Sequence, residues 1–285
     1  MSLEIKEVIR IATNQLLEAK VPDAEHDAKA LCMFQQGYNK TDLLMHWTDS
    51  LHDNQVDRYF ELVEKRAKRI PLQHILGTQE FMGFTFKVDP EVLIPRQDTE
   101  VVVEEALKLL TKGEEVLDMC SGSGAIGISM AKLGDMRVTC SDISDKAILL
   151  GEENASLNKI KVKFVKSDLF SEFKLGFGRK KYDMIISNPP YIPSGVIPTL
   201  EPEVREHEPL LALDGGEDGL NFYREIIEKA PQYLRKKGHL VFEIGYDQGE
   251  SVKALLEKSG EYANIEVKKD LADNDRVIIA EHIGK

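Results

Sequence analysis

Seven residues past the middle of the chain, Ile185-Ile186-Ser187-Asn188-Pro189-Pro190-Tyr191, carry the most specific chemistry in the sequence. An apolar run ends in an amide side chain followed by two prolines, neither of which can donate a backbone hydrogen bond. Each proline also pushes the residue before it into extended backbone, so Asn188 is held extended and the Pro189 carbonyl is left free. The Asn188 side-chain oxygen and that carbonyl make a pair of acceptors. Such a pair suits one NH2 group on an sp² carbon: a carboxamide, or the amino group of adenine or cytosine. Pro190 continues the loop, and Tyr191 offers a flat face to a planar substrate. Out of context, Pro-Pro after a strand with Asn as turn residue is only a strand terminator.

A second constellation lies upstream, in Val116-Leu117-Asp118-Met119-Cys120-Ser121-Gly122-Ser123-Gly124-Ala125-Ile126-Gly127. A strand runs through a glycine-rich turn into a helix, and Gly122, Gly124 and Gly127 fit the G-x-G-x-x-G spacing that sets a nucleotide on a helix N-terminus. The glycines alone read equally well as a tight strand-to-helix turn. Asp118 separates the readings: its charge repels a pyrophosphate but suits the sulfonium and ammonium of S-adenosylmethionine. Asp142 ends the next strand, placed to accept both ribose hydroxyls, with capping as its plain alternative. After a third strand, Asp168 can accept the adenine amino group while Leu169 or Phe170 covers the ring. No histidine falls in these stretches. Cys32, Cys120 and Cys140 lack zinc spacing and cannot build a disulfide framework, so no metal is expected.

The elements that must position these residues divide the chain in three. Ile5, Val8, Ile9, Ala12 and Leu16 fall at helical spacing, Asp23 can cap a second helix, Thr41 a short one through Trp47, and Val56, Tyr59, Phe60 and Val63 stripe another. That is a helical domain over residues 1–75. Its basic run Lys65-Arg66-Ala67-Lys68-Arg69 reads as a solvated helix end, with contact to RNA as the alternative. Over 76–96 the period changes: Phe84, Phe86 and Val88 alternate, Asp89-Pro90 turns, and Val92-Leu93-Ile94 returns as a linking β-hairpin. Asp98 or Thr99 caps a helix through Leu110.

From Glu114 strands and helices alternate. The strands are Val116–Met119, Val138–Asp142, Val162–Lys166, Asp183–Ser187, Leu240–Ile244, Ile265–Lys269 and Arg276–Ala280. Helices fit at Ala125–Leu133, Asp145–Leu157, Leu220–Leu234 and Gln248–Lys258. The alternation predicts an α/β domain over 97–285: a seven-stranded, mostly parallel sheet covered on both faces. The short link before the final strand makes that strand antiparallel.

Composition narrows the function classes. The 285 residues carry a net charge of −12, which disfavours a dedicated duplex-binding protein. A hydrophobic fraction of 42% with 30% charged residues is that of a globular chain, without an apolar run long enough for a membrane span. Met1–Arg10 is charged where a signal peptide is apolar, so a cytoplasmic enzyme is expected, with no membrane partner.

On the Asn-Pro-Pro-Tyr element and the glycine-rich donor turn, the chain resembles amino-group methyltransferases that use S-adenosylmethionine. In detail it resembles the bacterial HemK/PrmC family of release factor glutamine methyltransferases, nearly end to end. The finer likeness lies in Gly77-Thr78-Gln79-Glu80-Phe81-Met82-Gly83, Val92-Leu93-Ile94-Pro95-Arg96, Glu203-Val204-Arg205 and Leu213-Asp214-Gly215-Gly216-Glu217-Asp218-Gly219-Leu220. The resemblance implies a Rossmann-like class I methyltransferase fold. It implies methyl transfer to the side-chain amide nitrogen of the glutamine in the Gly-Gly-Gln motif of class 1 release factors. It also implies cofactor contacts at Cys120, Ser121, Gly122, Ser123, Gly124, Asp142, Asp168, Leu169 and Asn188. Asn188, Pro189, Pro190 and Tyr191 would hold the glutamine, residues 1–75 would help grip the release factor, and the enzyme would act as a monomer without nucleic acid. The chain departs from the family pattern in two places. Gln97-Asp98-Thr99-Glu100 replaces Pro-Glu-Thr-Glu, and Cys120 stands where the donor turn often begins with glycine. Binding is expected to survive the second, provided that backbone needs no positive φ. Three other readings stand beside this one: methylation of adenine or cytosine amino groups in nucleic acid, a dinucleotide-dependent oxidoreductase, and a silent cofactor-binding adaptor.

Overall fold

The strand and helix alternation from residue 114 onward is realised in the computed structural model, which describes residues 3–174 and 181–284. The chain divides into two compact units: Met1–Gly77 with Glu201–His207, and Thr78–Leu200 with Glu208–Lys285.

In the first unit a two-residue ladder pairs β1 (Leu3–Glu4) with β2 (Ser50–Leu51) beside α1 (Ile5–Glu18), α2 (Ala24–Gln36), α3 (Lys40–Met45), α4 (Asp53–Ala67) and α5 (Leu72–Leu76). The stripe Ile5, Val8, Ile9, Ala12 and Leu16 is the buried face of α1. It meets Leu31 of α2 and Tyr59 and Val63 of α4 in one core, where the Tyr59 hydroxyl donates to the Ala28 carbonyl at 2.9 Å. The cap of α3 is Asn39 rather than Thr41. Its side chain accepts from the Asp42 N–H and the Asp42 side chain accepts from the Asn39 N–H, which satisfies two end groups at once.

The basic run is a solvated helix end only at Lys65 and Lys68, which are exposed. Arg66 is 5% exposed, with Nε donating to Asp27 at 2.7 Å and Nη2 to Glu203 at 2.8 Å. Arg69 donates to Glu201 at 2.8 Å and to both oxygens of Glu203 at 2.7 and 2.5 Å. Burial opposes ionisation of Glu203, but the bonds from Arg69 and Arg66 hold its carboxyl below the usual range. Guanidiniums with fixed forks suit such a cluster. Two of the four cations are therefore used inside the protein.

The second unit opens with a hairpin, β3 (Thr78–Phe81) paired antiparallel with β4 (Phe84–Lys87). The alternation at Phe84 and Phe86 is correctly a strand, but its partner lies upstream. Met82 and Gly83 turn the chain with φ of 50° and 74°, the mirror-type turn that matches hairpin twist. Residues 92–94 are irregular, with Val92 and Ile94 buried. A 3₁₀ turn Gln97–Thr99 leads into α6 (Glu100–Leu107).

The sheet order is β10-β11-β9-β8-β5-β6-β7, for β5 (Glu115–Met119), β6 (Arg137–Asp142), β7 (Lys163–Lys166), β8 (Tyr182–Ser187), β9 (Leu234–Glu243), β10 (Tyr262–Lys269) and β11 (Asp275–His282). Pairings are parallel from β7 to β9, and β11 runs antiparallel to both neighbours. This is the sheet the sequence predicts. Period-2 alternation divides its side chains: Val116, Met184, Ile186 and Val241 pack with α6 and α7 (Ala125–Gly134). Leu117, Met119, Ile185 and Phe242 pack with helices Asn221–Lys229 and Gly249–Ser259 on the other face. α8 covers Asp145–Leu157, as the spacing predicts. The helix expected to reach Leu234 stops at Lys229, because Pro231 cannot extend its ladder, and Leu234 already opens β9. Chain order reverses between β5 and β8, so a crevice opens at their carboxyl ends, where Met119 pairs with Ser187.

Candidate active site

Both chemical stretches leave the sheet at that crevice. Its wall holds Cys120, Ser121, Gly122 and Ser123 of the turn after β5, Asp142 after β6, Asp168 and Leu169 after β7, and Asn188 and Pro190 after β8. Gly124, Pro189 and Tyr191 lie outside the wall. Gly124 is the left-handed N-cap of α7, with φ of 79°.

The donor turn is strained where the chain departs from glycine. Cys120 has φ of 57°, so the condition for an unstrained substitution is not met. A non-glycine residue pays about 1–2 kcal/mol there. Burial first, and then the Asp142 carboxylate, pushes the Cys120 thiol up. The sulfur stays protonated and is no nucleophile. Leu169 also sits at positive φ, 44°, held where the Ser167 hydroxyl donates to its carbonyl at 2.7 Å. Leu169 faces the cavity, while Phe170 stacks on Tyr233 at 4.5 Å in the core. Of the two, Leu169 is the one placed to cover a ring.

Asp142 holds the turn and faces the cavity together. Its oxygens accept from the Gly122 and Ser144 N–H groups, each at 2.9 Å. Burial pushes its carboxyl up, and those bonds pull it back. Further lone pairs stay open to a ligand. The Ser121 hydroxyl is buried with no partner among the described residues. An orphaned donor, a carboxylate with spare lone pairs and the apolar walls Leu169 and Ile143 fit a nucleoside with a charged tail.

Asp118 does not face the cavity. One residue before Met119, it points to the α7 side of the sheet, fully buried, and accepts from the Gly127 N–H at 2.8 Å. Gly127 is therefore a packing glycine: a Cβ there would strike the Cys140 sulfur and stand 2.9 Å from Asp118 Oδ2. Burial pushes the Asp118 carboxyl up to about 7. Between the unfolded value near 4 and that folded value the native state binds the extra proton, so this group lowers stability as pH rises. Asp118→Asn should gain stability relative to wild type from pH ~4 to ~7. Parallel urea titrations across that range check it, and a constant difference would contradict it.

Asn188 follows β8, whose last residue ties the two strands: the Ser187 hydroxyl donates to the Met119 carbonyl at 2.7 Å. The Asn188 side-chain nitrogen donates to the Thr99 hydroxyl at 3.5 Å, which leaves the amide oxygen as the end offered to a ligand. Tyr191 turns away toward the core, and its hydroxyl donates to Glu243 at 3.2 Å. The Leu213–Leu220 stretch builds the bed of this loop. Ile192 N–H donates to Leu213 and Gly215 N–H to Ile192, at 3.0 and 2.9 Å. A Cβ on Gly215 would stand 2.8 Å from the Tyr191 Cα, so glycine is required for the approach.

Sequence reasoning missed part of the wall: Ile94, Arg96, Thr99, Ile143 and Phe222. Arg96 is held by Glu208 at 2.5 Å. The apolar run Val92-Leu93-Ile94 is the available signal, and it reads as a strand.

Models of two known families match: the PrmC N-terminal domain over residues 7–77, and the methyltransferase small domain over 97–197. A release factor glutamine methyltransferase of Geobacter sulfurreducens is 40% identical over 275 residues, covering 96% of this chain and 95% of that one. One of Clostridium acetobutylicum is 38% identical over 283 residues, covering 98% of each. Among solved structures, a methyltransferase of Pyrococcus furiosus superposes with a TM-score of 0.55 at 18% identity, over 80% of this chain and 99% of that one. That last likeness is one of fold.

Proposed function

Since this chain belongs to the family of release factor glutamine methyltransferases, we propose that the crevice at the β5–β8 switch point holds both of its reactants. The enzyme transfers a methyl group from S-adenosylmethionine to the side-chain amide nitrogen of a glutamine in class 1 release factors. Cys120 to Gly124 cradle the donor, Asp142 takes its ribose, and Asp168 and Leu169 take its adenine. Asn188, Pro189, Pro190 and Tyr191 form the substrate loop. The observation that carries this assignment is the convergence of Asp142, Leu169 and Asn188, from three different strand ends, on one cavity.

Bound S-adenosylmethionine supplies a methyl already activated on a sulfonium. The chain's own residues orient the other partner. An amide nitrogen is a poor nucleophile because its lone pair is delocalised into the carbonyl. The Asn188 side-chain oxygen and the Pro189 carbonyl accept its two N–H groups and turn the lone pair toward the methyl. As positive charge grows on nitrogen those N–H groups become stronger donors, so the two oxygens favour the transition state over the ground state. The proton leaves afterward to water, and no strong base is required.

The helical unit, residues 1–75, grips the release factor, 76–96 connect it, and 97–285 carry out the transfer. The enzyme acts as a monomer, and the net charge of −12 with the internal use of Arg66 and Arg69 supports a reaction that needs no nucleic acid. Among the described residues no helix is long and apolar enough to cross a membrane, and a cytoplasmic site of action fits a translation factor as substrate. Asp142→Ala should weaken S-adenosylmethionine binding by about 1.5–3 kcal/mol by removing charge-assisted acceptors. Calorimetry decides: unchanged affinity, or tight binding of NAD instead, would overturn the assignment.

A further inference from the structure

Behind the substrate loop lies a carboxylate that the mechanism above does not use. Glu243, the last residue of β9, is 2% exposed. It accepts from the Tyr191 hydroxyl at 3.2 Å, while its Oε2 has no hydrogen-bond partner among the described residues. A buried carboxylate is expensive to keep, and one with an unfilled oxygen more so. Burial pushes its carboxyl up, while the Thr99 hydroxyl, Arg276 and Tyr191 pull it back. Thr99 is the hydroxyl that receives the Asn188 amide. Glu243 thus touches the loop at Tyr191, whose hydroxyl donates to it.

The Tyr191 end of the loop is held through its backbone as well. Gln248 Nε2 donates to the Tyr191 carbonyl at 2.9 Å, and Gln248 Oε1 accepts from the Gly245 N–H at 2.9 Å. A Cβ on Gly219 would strike the Tyr191 carbonyl oxygen. A loop so tightly held has one place to put its oxygens, and a displacement of about 1 Å in such a site costs up to ~10²-fold in rate.

We propose that Glu243 is a positioning residue for methyl transfer, acting through Tyr191 to fix where Asn188 and Pro189 present their oxygens. The proposal rests on the reading that those two oxygens hold the glutamine. Glu243 touches neither cofactor nor substrate; it is absent from the cavity wall.

The test is single-turnover methyl transfer to a class 1 release factor at saturating S-adenosylmethionine, with cofactor affinity and unfolding midpoint measured alongside. Glu243→Met removes the acceptor but keeps bulk and sheds a buried charge, so it preserves the fold better than alanine. Tyr191→Phe removes the other partner. Each is expected to slow transfer about tenfold, from the loss of one buried hydrogen bond that positions the loop. Cofactor affinity should stay within about twofold, since the donor cradle is untouched. Glu243→Gln keeps an acceptor and should recover to within about threefold of wild type. The double variant Tyr191→Phe with Glu243→Met should be no slower than the slower single one, because both act through one bond. Wild-type rates for Tyr191→Phe and Glu243→Met would overturn the proposal. So would additive losses in the double variant, or rate, cofactor affinity and midpoint falling together. Asn188→Ala run in parallel separates the two readings. If it transfers at the wild-type rate, the acceptor reading itself fails. If it is slow while the Glu243 and Tyr191 variants are not, only the positioning role is lost.

Discussion

Asn188→Ala should transfer methyl groups about 10²–10³ times more slowly than wild type, the usual cost of removing one preorganised transition-state hydrogen bond. Alanine leaves the Pro189 carbonyl to hold the amide alone, so the glutamine rotates and its nitrogen loses alignment with the methyl. The Thr99 hydroxyl also loses the group that donates to it at 3.5 Å. Affinity for S-adenosylmethionine should change little, because Asp142 and Leu169 reach the cavity from other strands. Asn188→Asp keeps an acceptor but places a full charge near the sulfonium, and it should also be slow. Single-turnover rates at saturating cofactor, with binding measured separately, check both. Transfer by Asn188→Ala at the wild-type rate would reduce Asn188 to a turn residue.

Arg66→Leu should destabilise the helical unit by about 3–5 kcal/mol. The guanidinium is buried between Asp27 and Glu203, at 2.7 and 2.8 Å. Removing it leaves Asp27, whose side chain is only 6% exposed, with the exposed His26 ring at 3.1 Å in place of its guanidinium. Glu203 keeps Arg69 and suffers less. Trp47 is the chain's single tryptophan and packs on the core of this unit, so its fluorescence reports the unit by itself. Urea unfolding followed at Trp47 should show the midpoint falling steeply. A loss under about 1 kcal/mol would mean that the cluster behaves as an ordinary surface pair.

What could be read in the sequence, and what could not, follows from the range of each interaction. α8 begins and ends where its Ser144 cap and apolar spacing place it, because helix ends are set by neighbours in sequence. The sheet was legible for the same reason, one alternating segment at a time. The sequence places the hairpin turn at Asp89-Pro90, a turn-initiating pair, because Met82-Gly83 lacks the Asn-Gly signature of the turn the chain makes. Its place at a strand end points Asp118 to the cofactor. Its facing depends on the parity of the strand: Met119 looks one way and Asp118 the other, under α7. Cys120 was expected to fit if its φ were negative, and residue type does not report φ. Arg66, Glu203 and Glu243 take their roles from partners far away in sequence, 137 positions apart for the first two and 52 for Glu243 and Tyr191. Nothing local marks such pairs.

The measurement that tests the central claim most directly is the site of the transferred methyl. Wild-type enzyme is incubated with methyl-labelled S-adenosylmethionine and either a class 1 release factor, the same factor with its Gly-Gly-Gln glutamine replaced by alanine, or duplex DNA, and products are mapped by mass spectrometry. The account predicts one methyl on the side-chain nitrogen of that glutamine, none on the alanine factor and none on DNA. Label on a base, or on another residue of the alanine factor at an equal rate, would contradict it.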